Sequence, residues 1–441
     1  MAADTIFALA TPPGRSGVAV MRLSGTQAGA IVDATITGRR PPPRYAALRQ
    51  IQNGDGTLID EGLVLWFAGP HSFTGEDSAE FQIHGGPAVI EALAARLSEL
   101  GARLAEPGEF TRRAFEHGKL DLTEAEGLAD LIDAETSAQR EQALAQMSGS
   151  LRALYEDWRQ RLIDVLAAIE GEIDFPDEEG VPEQLARTAG PILAALADDL
   201  AGHLDDDRRG ERIRDGFSIA IIGPPNAGKS SLLNALARRD AAIVTEIPGT
   251  TRDIVEVRMD LGGFAVTLAD TAGLRETEDV VEREGVKRAL TRADSADFVI
   301  GLLDGGARWN QEMTPVLEKS DIIVFGKADL PAALTLPDSR APDLSVSART
   351  GEGMGGLERR LSAIVAERLS KRELPALSRI RHRRSVEAAR DALVRAQQQL
   401  FDPELAGEDV RLAVRALEQL TGRIDVEHVL DAIFSRFCIG K

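Results

Sequence analysis

"FSIAIIGPPNAGKSSLLNAL", from Phe217 to Leu236, couples an apolar run rich in β-branched residues to a glycine-punctuated turn and a leucine run at helical spacing. A strand, a tight loop and a helix follow one another, and the loop matches G-x-x-x-x-G-K-[ST] at Gly223, Gly228, Lys229 and Ser230. Glycine lets the backbone amides of the stretch Asn226, Ala227, Gly228, Lys229, Ser230 and Ser231 turn inward around phosphate oxygens, and the helix N-terminus adds a favourable dipole. The Lys229 ammonium would neutralise the terminal phosphates, and the Ser230 hydroxyl would ligate magnesium. A plain glycine-rich turn would not need the lysine and the hydroxyl at those two positions.

Outward from this loop, residues 215 to 372 alternate apolar strands with helices, the pattern of a parallel sheet with crossover helices. The expected strands are "FSIAIIG", "FAVTLAD", "DFVIGLLD", "DIIVFGK" and "DLSVSA". Three later segments complete a GTPase constellation. "DTAGL" supplies Asp270 for the magnesium shell, followed by Thr271, Ala272 and Gly273, whose amide can sense a terminal phosphate. The loop Thr245, Glu246, Ile247, Pro248, Gly249, Thr250 and Thr251 is rich in carbonyls and offers Thr251 as a second magnesium ligand. "GKADL" and "SVSARTG" resemble guanine-reading loops, with Lys327 beside the base and Asp329 accepting from its edge. Gly326 stands where such loops carry Asn or Thr, so guanine choice rests mainly on Asp329. Leu274 replaces the glutamine that orients water in small regulatory GTPases and no arginine finger is evident, which leaves as catalytic candidates a carboxylate of "VVEREG" and a monovalent cation near Asn226 in place of the arginine.

The flanks differ in character. Residues 1–118 mix strand-like runs, "GVAVMRL" and "EGLVLWF", with one helix, "PAVIEALAARLSEL", and read as α+β. Residues 119–214 and 373–441 are helical, with Thr123 and Glu126 expected to form the capping box of the first helix and "DFPDEEGVP" a loop. The expected architecture is therefore multidomain: an α+β N-terminal domain, an all-α helical domain made of two flanks packed on each other, and an α/β P-loop GTPase domain inserted between them.

The chain has 441 residues, a formal net charge of -20, and a single cysteine, Cys438. One cysteine excludes an internal disulfide framework and a cysteine-rich metal site. The acidic balance argues against indiscriminate nucleic-acid binding, although "SRIRHRRSVEAAR" places Arg379, Arg381, Arg383, Arg384 and Arg390 together and could meet RNA phosphates. No run is long and apolar enough to span a bilayer, no secretory leader is evident, and a cytoplasmic location is expected.

Taken with "ATPPGRSGVAVMRLSG", "SFTGEDSAEFQIHGGP", "KLDLTEAE", "DTAGLRE" with "VERE", and "RFCIGK", the pattern resembles the MnmE (TrmE) family of tRNA modification GTPases over nearly the whole chain. The resemblance implies a cytoplasmic homodimer joined through a folate-binding N-terminal domain. It implies that, with the flavin-dependent partner MnmG in a heterotetramer, GTP hydrolysis accompanies installation of an aminomethyl or carboxymethylaminomethyl group at C5 of the wobble uridine of certain tRNAs. Arg22, Glu80, Lys119 and Lys441 match the positions around 5-formyl-tetrahydrofolate. Asn226, Thr245, Ile247 and Thr250 match ligands of potassium, and Glu282 matches the carboxylate that orients water. Cys438 is open to two readings, a nucleophile that handles the one-carbon unit or a small hydrophobe packed under Phe437 and Ile439. Three other readings of the chain compete: a ribosome-assembly GTPase, which should carry an RNA-binding module that is not evident here; a nucleotide-gated scaffold in which turnover is incidental; and an aminomethyltransferase-like folate enzyme with a decorative GTPase insert.

Overall fold

The computed structural model describes residues 4–174, 185–238, 256–270, 293–337, 341–370, 375–424, 427–435, 437 and 440. The chain forms two compact units. One comprises Met1–Ala129, Gln146–Ala189 and Gln398–Lys441; the other comprises Asp130–Ala145 and Gly190–Gln397.

The first unit is built on a six-stranded sheet of β1 (Ile6–Leu9), β2 (Ala19–Ser24), β3 (Ala47–Gln52), β4 (Leu58–Phe67), β5 (Ser78–Ile83) and β6 (Arg103–Leu104), in the order β3-β4-β5-β2-β1-β6. All neighbours are antiparallel except β1 and β6. Alternation along β2 and β5 sends Met21, Leu23, Ala79 and Phe81 into a core under the helices Ala28–Thr35 and Pro87–Glu99. The same period of two sends Arg22 and Glu80 to the opposite face, where the register sets them directly across from each other.

The helix Leu122–Ile132 begins one cap earlier than the sequence suggests. Asp121 Oδ1 accepts from the Glu124 amide at 2.8 Å while Glu124 Oε2 accepts from the Asp121 amide at 2.8 Å, so the capping box is Asp121 with Glu124 rather than Thr123 with Glu126. Thr123 is fully buried and spends its hydroxyl on Asp121. Two long helices of the flanks, Ser150–Asp174 and Pro403–Thr421, pack together, and Glu427–Phe434 seats Phe434 beside Ala125 and Phe437.

The second unit carries a sheet of β7 (Phe217–Ile222), β8 (Glu256–Leu261), β9 (Phe264–Asp270), β10 (Phe298–Asp304), β11 (Ile322–Gly326) and β12 (Leu344–Ser345), ordered β12-β11-β10-β7-β9-β8. β7, β10 and β11 are buried on both faces, as their near-continuous apolar sequences require of central parallel strands. One face packs against the helices Lys229–Ala237 and Met354–Leu369, the other against Met313 and Val316. β8 was not among the expected strands and departs from the all-parallel pattern: it is an antiparallel edge strand that returns through Gly262 and Gly263 and buries Met259 and Leu261. Helices Gly190–Leu204, Arg209–Asp215 and Ile380–Gln398 also belong to this unit.

Candidate nucleotide site

β7 is flanked by β9 and β10, and its carboxyl end opens into the phosphate loop. Sites in open α/β sheets form at such ends. Gly223 has to be glycine because a Cβ there would run into the Leu302 carbonyl of β10. Gly228, with φ of 97°, is the left-handed residue that starts the helix Lys229–Ala237. Asn226 at the exposed tip is also left-handed, with φ of 59°. Lys229 is buried, and its Nζ donates to the carbonyls of Gly223 and Pro224 at 2.9 Å each. The ammonium is thereby held inside the loop's own curve, next to the amides that a phosphate would meet.

Opposite this loop, β11 ends at Gly326. A Cβ at Gly326 would lie 3.1 Å from the Ala227 carbonyl and 3.3 Å from Leu302 Cδ1, so the missing side chain lets the end of β11 approach the phosphate loop closely. Lys327 turns with φ of 58°, and its Nζ donates to Asp304 Oδ2 at 2.7 Å. The Ala328 amide bonds to the Val346 carbonyl at 3.0 Å, tying this turn to the loop after β12. Within that tie, Ser347 Oγ donates to Asp329 Oδ1 at 2.6 Å, and Arg349 Nη2 lies 2.6 Å from Asp329 Oδ2. The Ser347 hydroxyl first, then the Arg349 guanidinium, hold the Asp329 carboxyl below its ordinary range, so it is an ionised acceptor at neutral pH. A cavity of about 360 Å³ brings these parts together, lined by Ala227, Gly228 and Ser231 on one side and Lys327, Asp329 and Ser347 on the other. Ser230 is exposed at the same helix start.

In the first unit, Arg22 Nε and Nη2 donate to Glu80 Oε1 at 3.1 and 3.0 Å, and Arg22 Nη1 donates to the Gly440 carbonyl at 3.3 Å. Gly440, with φ of 101°, lies so close to Leu9 and Ala10 that a Cβ would clash with their backbone. Gly440 is therefore seated against the end of β1 beside Arg22. The guanidinium also lies 5.8 Å from the Phe110 ring centroid. A second cavity, of about 380 Å³, is lined here by Arg22, Glu80, Phe67, Phe73, Thr74 and Thr111. Thr111 is fully buried, and its hydroxyl has no hydrogen-bond partner among the described residues. Lys119 is exposed, with Cε 3.3 Å from where a Gly75 Cβ would stand, next to the loop that carries Phe73 and Thr74.

Thr245, Glu246, Ile247, Pro248, Gly249, Thr250, Thr251, Thr271, Ala272, Gly273, Glu282, Cys438 and Lys441 lie outside the described residues, and Asp270 is described as the end of β9 only. The arginine-rich segment is largely engaged within the fold. Arg379 pairs with Asp130 at 2.6 Å, Arg383 pairs with Asp206 and Glu211, and Arg390 pairs with Asp391 at 2.6 Å, whereas Arg384 is exposed. Arg349 did not stand out as a site residue in the sequence. Its place two residues after Ser347 in "SVSARTG" was the available signal.

Two family descriptions match the chain, "GTP-binding protein TrmE N-terminus" over residues 5–119 and "MnmE helical domain" over residues 122–438. The tRNA modification GTPase MnmE of Maricaulis maris is 62% identical over 441 residues, covering 99% of each chain. The protein of the same name from Hyphomonas neptunium is 53% identical and fully covered. The chain belongs to the MnmE (TrmE) family of tRNA modification GTPases. It is accordingly a GTP-binding, GTP-hydrolysing enzyme of tRNA modification, with an N-terminal TrmE domain, a helical domain and a P-loop GTPase domain. Among solved structures, the G domain of the FeoB iron transporter of T. maritima is similar at 24% identity and a TM-score of 0.23, over 33% of this chain and 98% of that one. Among the described residues, no helix is long and apolar enough to cross a membrane.

Proposed function

We propose that this enzyme is a potassium-dependent GTPase. With an MnmG-type flavoprotein it would build the aminomethyl or carboxymethylaminomethyl group at C5 of the wobble uridine of certain tRNAs, using a one-carbon unit from 5-formyl-tetrahydrofolate. The observation that carries the nucleotide half is the cavity shared by the phosphate loop and the loop of Lys327, Asp329 and Ser347. Lys229 and the loop amides would grip the phosphates, Ser230, Asp270 and Thr251 would hold magnesium, and Asp329 would accept from the guanine edge. Potassium would sit with Asn226, Thr245, Ile247 and Thr250, where a cation would offset the charge that develops between the β and γ phosphates. Glu282 would orient the water.

The folate half is supported by the second cavity. Its aromatic walls suit a flat ring, and the Arg22–Glu80 pair offers both donors and an acceptor. Lys119 and Lys441 would meet the acidic tail of the ligand. The Gly440 carbonyl accepts from Arg22 at this cavity's charged corner, two residues after Cys438 in sequence, which supports the reading of Cys438 as a nucleophile toward the one-carbon unit. Replacement Cys438→Ser should keep GTP turnover and lose the modified uridine; full modification in that variant would reduce the thiol to packing.

We further propose domain limits of 1–118, 119–214, 215–372 and 373–441, a cytoplasmic homodimer, and docking of tRNA with the partner flavoprotein. GTP turnover in potassium buffer should exceed that in sodium buffer by at least about tenfold. Equal rates in the two buffers would remove the cation from the account.

A further inference from the structure

Both oxygens of Asp329 are already addressed from within the chain, and the two partners differ in kind. Ser347 is fully buried, so its hydroxyl is a fixed part of the wall. Arg349 reaches Oδ2 from a side chain that is 76% exposed, which leaves it free to swing. A guanidinium is a planar carbon carrying N–H donors on adjacent nitrogens. Guanine shows a carboxylate the same array, N1–H and the 2-amino group around C2. Arg349 therefore presents to Asp329 the donors that the base itself would present, at the same cavity that Asp329 lines.

We propose that Arg349 is an internal mimic of the guanine edge, an arm that competes with the nucleotide for Asp329 and has to swing out before the base docks. This rests on the reading of Asp329 as the guanine acceptor. The Ser347 bond does not compete in this way, because it leaves lone pairs on both carboxylate oxygens and orients them. Exposed ion pairs are weak, so the arm would lower access about two- to fivefold rather than block it. It acts before the base arrives, so it slows association and leaves the dissociation of a seated nucleotide alone.

The test is stopped-flow binding of fluorescently labelled GDP to the full-length protein and its Arg349→Ala variant. Association should be about two- to fivefold faster in the variant at low salt, with an unchanged dissociation rate. The gain should vanish near 1 M sodium chloride, where the pair in the parent protein is screened. Labelled inosine diphosphate, which lacks the 2-amino group, should gain by the same factor, because the arm moves before any base is read. An association rate equal to or below that of the parent would overturn the proposal. So would a change confined to dissociation, which would make Arg349 a contact of the bound nucleotide. The underlying reading has its own control. Asp329→Asn should lose GDP and gain xanthosine diphosphate, and GDP affinity retained in that variant would refute the acceptor role whatever Arg349 does.

Discussion

Lys229 shows why a single residue of the phosphate loop can be decisive. Its ammonium is buried, and two loop carbonyls hold it at 2.9 Å. Those bonds fix its position before phosphate arrives, so little ordering remains to be done on binding. Replacement Lys229→Ala should therefore leave the fold intact and lower kcat/KM for GTP by at least about a hundredfold, the scale seen when one donor to developing charge is removed. Steady-state hydrolysis checks this, and a loss of only a few-fold would contradict it. At this scale the sequence was most legible where spacing is dictated by phosphate geometry, from Gly223 to Ser230. It was least legible at Arg349, because an exposed arginine in a loop looks like any other until Asp329 is seen beside it. The arginines of "SRIRHRRSVEAAR" show the opposite failure: a run that looks like a basic patch spends Arg379 and Arg383 on carboxylates of its own unit.

Among the elements, the helix Leu122–Ile132 carries its own titration. Burial, the largest influence, raises the Asp121 carboxyl above its ordinary value, and nearby Glu124 adds to the rise. Oδ1 caps the helix, while Oδ2 is buried without a partner among the described residues. The sign follows from the direction of the shift. The folded state holds the proton more tightly than the unfolded chain, so the cost of ionising Asp121 is absent well below its unfolded value of about 3.9, grows as pH rises from there toward the higher folded value, and is complete above it. Asp121→Asn keeps the capping oxygen and removes that charge. It should be at least as stable as the parent at pH 7, with the difference shrinking toward pH 4, while Asp121→Ala loses the cap and about 1 kcal/mol. Urea titrations at the two pH values decide this; an Asn variant that is the less stable at pH 7 would be the contrary result. The sequence "DLTEAE" contains two overlapping box patterns. Burial of Thr123 chose between them, and burial cannot be read from spacing. β8 was hidden for a related reason, since an edge strand can carry Glu256, Arg258 and Asp260 on its open side, and only the Gly262–Gly263 turn marks it.

For the whole molecule, strand and helix alternation made the second sheet legible, whereas β5 and the antiparallel register that sets Arg22 across from Glu80 were not, because a period of two fixes the face of a residue and not its partner strand. The sharing of the helical flanks between two units was not legible, because helix propensity carries no information about which long-range partner a helix will choose. The central proposal is that phosphate chemistry in one unit serves one-carbon chemistry on tRNA in the other, and the two cavities support it. The most direct test is mass spectrometry of wobble uridines in tRNA from a strain whose own copy has been deleted and replaced by the parent protein or by Lys229→Ala at equal abundance. The account predicts the C5-aminomethyl-type modification with the parent and unmodified uridine with Lys229→Ala; full modification with Lys229→Ala would contradict it.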